Sequence, residues 1–275
     1  MWFAFPEECH TQLCHSVAYA RKRRLPLRYT RPVTAGPYTS PPAAPGRGRA
    51  PKRAPAGPPL RERKKRRTRQ ALIDTALELF TRHGFGGVTL DELCDAVEVS
   101  KRTFFRNFTS KEDVAMAPLQ DLWTAFLEEL QTSRPDGRPL LDLAQEALLA
   151  ALERVADEEW AHRTLLSLRL AEQTPSMDAH GLHFCERTTH TALEILRRTL
   201  DLKGPDDPRP RLAADMLVAA FRYALTGWAA QAADTDEPAA TRTPASQELG
   251  ARLREAVAAL PGSLTLTAAP RQTDS

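Results

Sequence analysis

The chain has 275 residues, 42% of them hydrophobic and 27% charged, which is enough for one large domain or two small ones with an apolar core. No apolar run approaches the roughly 20 residues that a membrane-spanning helix needs. Four cysteines are too few for a disulfide framework at this length, and MWFAFPEECH lacks the pattern of a signal peptide. We therefore expect a cytoplasmic protein without a membrane partner.

The net charge of +3 conceals a strong asymmetry along the chain. Residues 1–70 hold 17 Lys and Arg against 3 Asp and Glu, whereas the rest of the chain holds 21 basic and 32 acidic residues. A basic N-terminal part followed by an acidic remainder indicates that an anionic partner binds at the N-terminal end. Nucleic acid is the first candidate and a membrane surface the second.

Residues 1–60 have the composition of a disordered extension. They contain 11 of the 22 prolines and show no sustained apolar period, so they bury too little apolar surface to offset the entropy of ordering. Cys9, His10, Cys14 and His15 are of metal-ligand types, but they form one isolated cluster without a supporting helix or strand. We therefore predict no metal site there.

The pattern becomes helical at residue 61. Apolar residues then recur at three- and four-residue spacing and form one stripe, made of Leu72, Ile73, Ala76, Leu77 and Phe80. Gly84 follows the stripe and is typical of the residue after a helix end. The same segment begins with the basic run RERKKRRTR over residues 61–69.

Three helix-start patterns follow within about 25 residues. Thr89 and Glu92 have the spacing of a capping box, Ser100 is a good N-cap, and Ser110 with Asp113 repeats the capping pattern. Only the linker Glu98–Ser100 separates the second helix from the third, which forces a sharp corner. This arrangement is a helix-turn-helix.

The remainder of the chain is predicted to be helical throughout. Apolar periodicity indicates helices near 111–133, 139–156, 159–173, 177–201, 209–233 and 245–260, and no stretch alternates as a strand. The predicted fold class is all-α, with an N-terminal three-helix helix-turn-helix domain and a larger helical bundle. The predicted divisions are a disordered basic extension (1–60), a DNA-binding domain (61–110), an effector-binding and dimerisation domain (111–260) and a disordered tail (261–275).

The stretch TLDELCDAVEVSKRTFFRNFTSKED resembles the DNA-binding segment of TetR/AcrR-type transcriptional regulators, whose usual pattern is V-S-x-x-T-x-Y-x-x-F-x-S-K. The resemblance covers about residues 62–114, and the matching residues are Val99, Ser100, Thr103, Phe108, Ser110 and Lys111. The Phe-Phe pair and RLAADMLVAAFRYALTGW are similar to an actinobacterial subgroup that includes mycofactocin-type regulators. The family resemblance implies a homodimeric repressor of a palindromic double-stranded DNA operator, released by a small-molecule effector, with no cofactor and no catalytic residue.

Helical spacing from Ser100 gives the two adjacent phenylalanines different roles. Phe104 and Phe108 share a face and should pack in the core, while Phe105 turns about 100° away from it. The family usually has Tyr at the position of Phe105, with its hydroxyl on a phosphate. Phe105 lacks that hydroxyl, so we expect it to contact a thymine methyl group or a sugar. Arg102 stands where many relatives have Gly, and it is a candidate for guanine O6 and N7 or for a phosphate.

Further candidate DNA contacts surround this pair. Thr89 and Lys111 are predicted at helix N-termini, where backbone N–H groups and the helix dipole favour a phosphate. The basic run is expected to contact phosphates or to enter the minor groove as an arm. The remaining candidates are Ser100, Lys101, Thr103, Arg106 and Asn107 on the third helix, and Arg61, Arg63, Lys64, Lys65, Arg66 and Arg67 in the basic run.

For residues 111–260 the resemblance implies an effector pocket and a dimer interface. An apolar or amphipathic effector would suit a pocket lined by Trp123, Phe126, Trp160, Phe184 and Phe221, and the mycofactocin-type resemblance suggests an acyl-CoA. The predicted helix 209–233 is apolar on most sides, which favours burial across a two-fold axis together with the 245–260 helix. Its candidate interface residues are Leu212, Met216, Tyr223 and Trp228, with ordinary monomer core as the alternative.

Two alternative functions remain open from the sequence. One is a small helical enzyme or metal-dependent protein that uses the His180–His190 region, although the chain has no phosphate loop, no HExxH and no G-x-S-x-G. The other is a non-specific nucleic-acid binder that relies on the basic N-terminal arm. A specific regulator would continue to discriminate its operator as salt rises, whereas an arm-driven binder would lose all binding together.

Overall fold

The computed structural model describes residues 60–202, 204, 206–231 and 246–267, and these form ten helices and no strand. The helices are α1 Leu60–His83, α2 Leu90–Ala96, α3 Lys101–Phe104, α4 Lys111–Ala115, α5 Ala117–Thr132, α6 Leu140–Val155, α7 Glu158–Glu172, α8 Pro175–Thr199, α9 Arg209–Gln231 and α10 Ser246–Leu264. The predicted all-α class is confirmed. In the described part of the chain, no helix is long and apolar enough to cross a bilayer.

Some predictions fall on residues that the structure does not describe. The extension predicted over 1–60, with its Cys9–His15 cluster, lies outside the described residues except for Leu60. Residues 268–275 of the predicted tail also lie outside them. The tail does not start at Pro261 as expected, because α10 continues through that proline to Leu264.

All three predicted helix starts are present. Thr89 caps α2 in a reciprocal capping box, in which its side chain accepts from the Glu92 backbone and the Glu92 carboxylate accepts from the Thr89 backbone N–H at 2.7 Å. The hydroxyl of Ser100 accepts from Thr103 N at the start of α3, and that of Ser110 accepts from Asp113 N at the start of α4. Each side chain satisfies a backbone donor that the helix itself leaves free.

The helix predicted over 111–133 is interrupted. It forms α4 and α5, with Met116 between them at φ −96° and ψ 2°. Pro118 has no N–H to donate to the carbonyl of Val114, and its ring crowds that carbonyl, so the helix cannot continue unbroken past this point.

The described helices enclose two apolar clusters. The first cluster is formed by helices α1, α2, α3 and α4. It includes Leu72, Phe80, Leu93, Phe104 and Phe108, together with Leu170 from α7 and Met177 from α8. The second cluster is formed by helices α5, α6, α7, α8, α9 and α10. It includes Phe126, Leu148, Trp160, Phe221 and Trp228. The end of α7 and the start of α8 therefore pack against the first four helices. The division into domains at 110/111 stays a prediction.

Candidate nucleic-acid interface

The turn between α2 and α3 is a Schellman motif. Glu98 N donates to Asp95 O at 3.0 Å and Val99 N donates to Cys94 O at 2.9 Å, which satisfies two carbonyls at the end of α2. The motif requires a left-handed residue after the C-cap, and Glu98 fills it with φ 55°. An L-residue with a side chain is strained in this region, so the corner between the two helices is a closely defined structure.

Helix α3 presents one buried face and one exposed face. Phe104 and Phe108 are buried in the first cluster, as the spacing predicted, while Phe105 is 56% exposed. The ring of Phe105 rests edge to face on that of Phe104, with centroids 5.4 Å apart. Backbone bonds from Asn107 N and Phe108 N to Phe104 O extend the helical turns beyond the last residue of α3.

The cations of α3 differ in their surroundings. Lys101 forms an ion pair with Asp91 of α2 at 2.7 Å, and the hydrogen bond to that carboxylate raises the pKa of Lys101. Arg102 and Arg106 are exposed, and neither forms an ion pair with any residue that the structure describes. These two exposed guanidinium groups, one on α3 and one in the turn that follows it, are the positive charge that this segment offers to a partner.

The polar side chains of this region are used largely within the chain. Thr103 Oγ1 and Ser100 Oγ are 3.1 Å apart. Asn107 donates from Nδ2 to Thr103 O at 2.8 Å, while its buried Oδ1 has no hydrogen-bond partner among the described residues. The Glu92 carboxylate accepts from the Thr89 backbone N–H and, at 2.8 Å, from Thr89 Oγ1, and these two bonds lower the pKa of Glu92. Ser100, Thr103 and Thr89 therefore hold helix ends in place.

The basic run is helical. Arg61, Arg63, Lys64, Lys65, Arg66 and Arg67 are all exposed and lie in the first turns of α1. One side of these turns forms a groove with Val97 and Val99 of the α2–α3 corner. The run thus lies beside the helix-turn-helix, and its helical form favours contacts to phosphates over an extended arm within residues 61–69.

Arg69, the last cation of the run, has a different environment. Its guanidinium donates to both carboxylate oxygens of Asp121 on α5, each at 2.7 Å, and lies 5.1 Å from the centre of the Phe108 ring. This bidentate pair joins α1 to the bundle across 52 residues of sequence. No local pattern indicated it, because the partner is distant in the chain.

Lys111 also points into the protein. Its Nζ donates to the carbonyl oxygens of Phe85 and Val88, at 2.7 Å and 2.5 Å. The same ammonium lies 4.7 Å from the centre of the Phe85 ring and 5.3 Å from that of Phe80. Burial lowers the pKa of Lys111. The sequence placed this residue at a helix N-terminus correctly, but it did not reveal where the side chain goes.

An apolar cavity lies in the second cluster, between α5, α6, α8 and α9. Its volume is about 30 Å³. Trp123 and Phe126 line it, together with Cys185, Thr188 and Thr189 of α8 and Ala214 and Leu217 of α9. Trp160, Phe184 and Phe221, expected in the same pocket, lie outside its lining.

The three aromatic residues outside the cavity have other contacts. Trp160 is buried, donates from Nε1 to Pro118 O at 2.9 Å, and packs against Trp228. The ring of Phe221 lies 5.1 Å from that of Trp123, a residue of the cavity lining. Phe184 is half-buried beside Arg187. The sequence assigned all three to the pocket, because a helical pattern does not indicate which rings face free space.

The predicted interface residues of α9 divide between surface and core. Tyr223 is 76% exposed and Leu212 is also exposed, whereas Met216 is half-buried. Trp228 is fully buried in the chain's own core, which corrects its assignment to a surface that meets a second copy. The sequence pattern alone could not distinguish these cases, because apolar residues surround most of this helix.

The histidines of α8 are dispersed. His180 Nε2 lies 3.2 Å from Gln120 Nε2 and 3.7 Å from Asp113 Oδ1, while His190 pairs with Glu186. Among the described residues, no group of three or more His, Cys, Asp or Glu is close enough to hold a metal ion.

Comparison with known proteins identifies the class. The family model of bacterial regulatory proteins of the tetR family matches residues 72–117, the segment that contains the helix-turn-helix. The transcriptional regulator TcmR of Streptomyces glaucescens is 39% identical over 186 residues, which cover 66% of this chain and 81% of TcmR. The chain therefore belongs to the TetR family of bacterial transcriptional regulators, whose DNA-binding element is the α2–α3 helix-turn-helix.

Two other comparisons are more limited. A relative from Mycobacterium tuberculosis named as a regulator of mycofactocin biosynthesis, MftR, is 32% identical over 122 residues, which cover 44% of this chain and 59% of MftR. The structure of SmeT, the repressor of a Stenotrophomonas maltophilia multidrug efflux pump, covers 70% of this chain and 89% of SmeT, at 20% identity and a TM-score of 0.41. The likeness to the mycofactocin-type subgroup stays a prediction.

Proposed function

We propose that this TetR-family regulator is a homodimeric repressor that binds a near-palindromic DNA operator and releases it when a small apolar effector binds. The observation that carries the proposal is the exposed face of α3. Arg102, Phe105 and Arg106 are all exposed there, and within the described residues neither arginine forms an ion pair. Cations and an apolar group on one short helix suit a surface that reaches both phosphates and base edges.

Each exposed residue of α3 has a specific expected contact. Arg102, in the first turn of the helix, is the candidate for bidentate recognition of guanine O6 and N7. Phe105 is the candidate for a thymine methyl group, because its ring carries no hydroxyl for a phosphate. Arg106 and the basic residues of α1 are expected to contact phosphates and so to set affinity without setting sequence preference.

Dimerisation is supported by the outer faces of α9 and α10. Exposed positions on these two helices are mostly small or apolar and include Leu212, Ala219, Tyr223, Ala230, Ala251, Ala258 and Ala259. Such faces pack closely against the same faces of a second copy across a two-fold axis. Two α3 helices would then enter successive major grooves, roughly 34–36 Å apart, on a near-palindromic site.

Effector control is supported by the dimensions of the cavity and by the position of α8. About 30 Å³ holds only about two water molecules, whereas pockets for small organic ligands are ~300 Å³ or more. An effector would therefore have to move the cavity walls. Thr188 and Thr189 on α8 belong to that wall, while Gly181 of the same helix packs against Met116, beside α4.

The packing of α8 against α4 connects the cavity to DNA binding. A Cβ on Gly181 of α8 would lie 2.8 Å from Met116 Cε, and His180 Nε2 of the same helix lies 3.7 Å from Asp113 Oδ1 of α4, so α8 is in contact with α4. Displacement of α8 by an effector would therefore be passed to α4 and change the separation of the two α3 helices. The effector lowers operator affinity only if it binds the displaced state more tightly.

The test of the operator is selection of bound DNA from a random pool at about 150 mM salt. The wild-type protein is expected to enrich a palindrome, and Arg102→Ala to relax it at one symmetric position. Arg134→Ala, an exposed arginine in the loop before α6, serves as the matched control and should leave the selected sequence unchanged. Failure to enrich a motif, with binding abolished by deletion of residues 1–69, would favour the non-specific binder instead.

The test of the pocket uses the apolar dye ANS as a probe. Ala214→Phe fills the cavity from α9 and is expected to abolish dye binding there while operator binding persists. Ala179→Phe, at an exposed position of α8 outside the cavity, is the control for added apolar bulk. Equal dye binding by the wild type and Ala214→Phe would contradict the assignment of this cavity as the effector site.

A further inference from the structure

The side chain of Lys111 connects the start of α4 to the turn between α1 and α2. Its ammonium donates to Phe85 O at 2.7 Å and to Val88 O at 2.5 Å, and both carbonyls belong to the turn over residues 84–88. An ammonium has three donors, so at most one remains for any further partner. The two bonds reach across 26 and 23 residues of sequence.

Two aromatic rings surround the same ammonium. The centre of the Phe85 ring is 4.7 Å from Nζ and that of the Phe80 ring 5.3 Å, and both distances lie within the range of cation–π attraction. The rings are themselves in contact, with centroids 5.0 Å apart. Phe80 is fully buried, so this lysine is anchored to the first apolar cluster.

The turn that Lys111 holds has a closely defined conformation. Gly84 has φ 76°, and Gly87 N donates to Gly84 O at 3.1 Å. A Cβ on Gly87 would lie 2.2 Å from His83 O, so only glycine fits there. The turn leads directly into Thr89, the N-cap of α2, and therefore fixes where the helix-turn-helix begins relative to α4.

We propose that Lys111 is a positioning residue, whose ammonium holds the 84–88 turn against α4 and makes no contact with a DNA phosphate. The inference departs from the expectation that Lys111 binds a phosphate, and it rests on the proposed DNA binding through α3. Two carbonyls and two rings already surround the ammonium, and at most one N–H remains for a phosphate. The contribution of Lys111 to DNA binding is instead to place α2, and with it α3, at the correct angle to α4.

Salt dependence separates positioning from phosphate contact. Each cation on a phosphate adds about 0.9 to the slope of log Kobs against log salt, and the two copies in a dimer add about 1.8. Lys111→Met keeps the length of the side chain but removes its charge and its donors. With a duplex carrying the selected palindrome, we expect affinity to fall at least tenfold while the slope stays at the wild-type value.

Arg106→Met is the matched control, because it removes an exposed cation of α3. For Arg106→Met, the slope of log Kobs against log salt is expected to become shallower than that of the wild type. A slope for Lys111→Met as shallow as that of Arg106→Met would overturn the inference. So would a lower Tm together with unchanged affinity of the folded protein, since that result assigns Lys111 to stability alone.

Hydrogen exchange gives a measurement that needs no DNA. The Gly87 amide, bonded to Gly84 O, is expected to exchange at least tenfold faster in full-length Lys111→Met and at the wild-type rate in Arg106→Met. Unchanged protection of Gly87 in Lys111→Met would show that the lysine does not hold the turn. Failure of the operator selection would remove the proposed function yet leave this test intact.

Discussion

Phe104 and Phe105 are neighbours in sequence, and their rings meet edge to face at 5.4 Å, yet one is fully buried and the other is 56% exposed. The helical turn of about 100° per residue produces this difference, because Ser100 fixes the start of α3. The buried ring of Phe104 therefore packs against the exposed ring of Phe105, and Arg102 and Arg106 are exposed on the same segment.

The two phenylalanines should respond in opposite ways to truncation. Phe104→Ala removes a fully buried ring and should destabilise the protein by about 3–5 kcal/mol. Phe105→Ala loses only a partly exposed contact and should cost about 1 kcal/mol or less, while weakening binding to the selected duplex. Urea denaturation and DNA titration measure the two effects, and a large loss of stability in Phe105→Ala would assign that ring to the core.

Glu98 offers a stabilising substitution at the helix-turn-helix corner. Its φ of 55° is strained for a residue with a Cβ, so Glu98→Gly should raise the free energy of unfolding by about 0.5–1 kcal/mol after the entropy cost of glycine. Gly84→Ala is the reciprocal control. It has φ 76° and free space around its Cβ position, so it should lose about 1 kcal/mol through backbone strain alone. Denaturant titration tests both, and a loss on Glu98→Gly would show that the Glu side chain itself stabilises the corner.

The pH dependence of Cys185 alkylation should reflect the burial of its thiol in the cavity wall. Burial raises the pKa of this thiol, so the thiolate forms only at higher pH than it does on a solvent-exposed cysteine. Alkylation of Cys185 by iodoacetamide, followed by peptide mass spectrometry, should therefore rise at a higher pH in the native protein than in urea. Coincident pH profiles in the two states would place Cys185 in solvent rather than in the cavity wall.

The dimer proposed through α9 and α10 depends on an exposed apolar face. Tyr223→Asp introduces a charge at a 76% exposed position, and it should dissociate the dimer at micromolar concentration while the monomer stays folded. Leu182→Asp, at an exposed position of α8, is the matched control and should sediment as the wild type does. Dissociation by the control instead would place the interface on α8.

Local chemistry explains why the helices and their starts were predictable. Thr89, Ser100 and Ser110 each cap the helix that follows, and a capping bond involves residues only three apart. Phe104 and Phe108 were correctly placed in the core by the same short-range argument. The interruption at Met116 was missed, although Pro118 provided a local indication of it.

Relationships between distant parts of the chain were not predictable. The Arg69–Asp121 pair and the contacts of Lys111 with the 84–88 turn join residues far apart in sequence, so no local spacing indicates them. Trp228 was a candidate for the dimer interface, with monomer core as the alternative, and it is buried, because helix periodicity shows that a face is apolar without showing what covers it. The cavity likewise exists only where α5, α6, α8 and α9 meet.

The sequence by itself determined the class of this protein, the order of its helices and the exposed face of α3, because caps, turns and apolar periods act over a few residues. Only the tertiary structure decided which cations are free. Lys101, Arg69 and Lys111 are held by Asp91, Asp121 and two backbone carbonyls, while Arg102 and Arg106 remain exposed. A basic side chain is available to DNA only if the folded chain does not already satisfy its charge, and the packing of distant helices settles that.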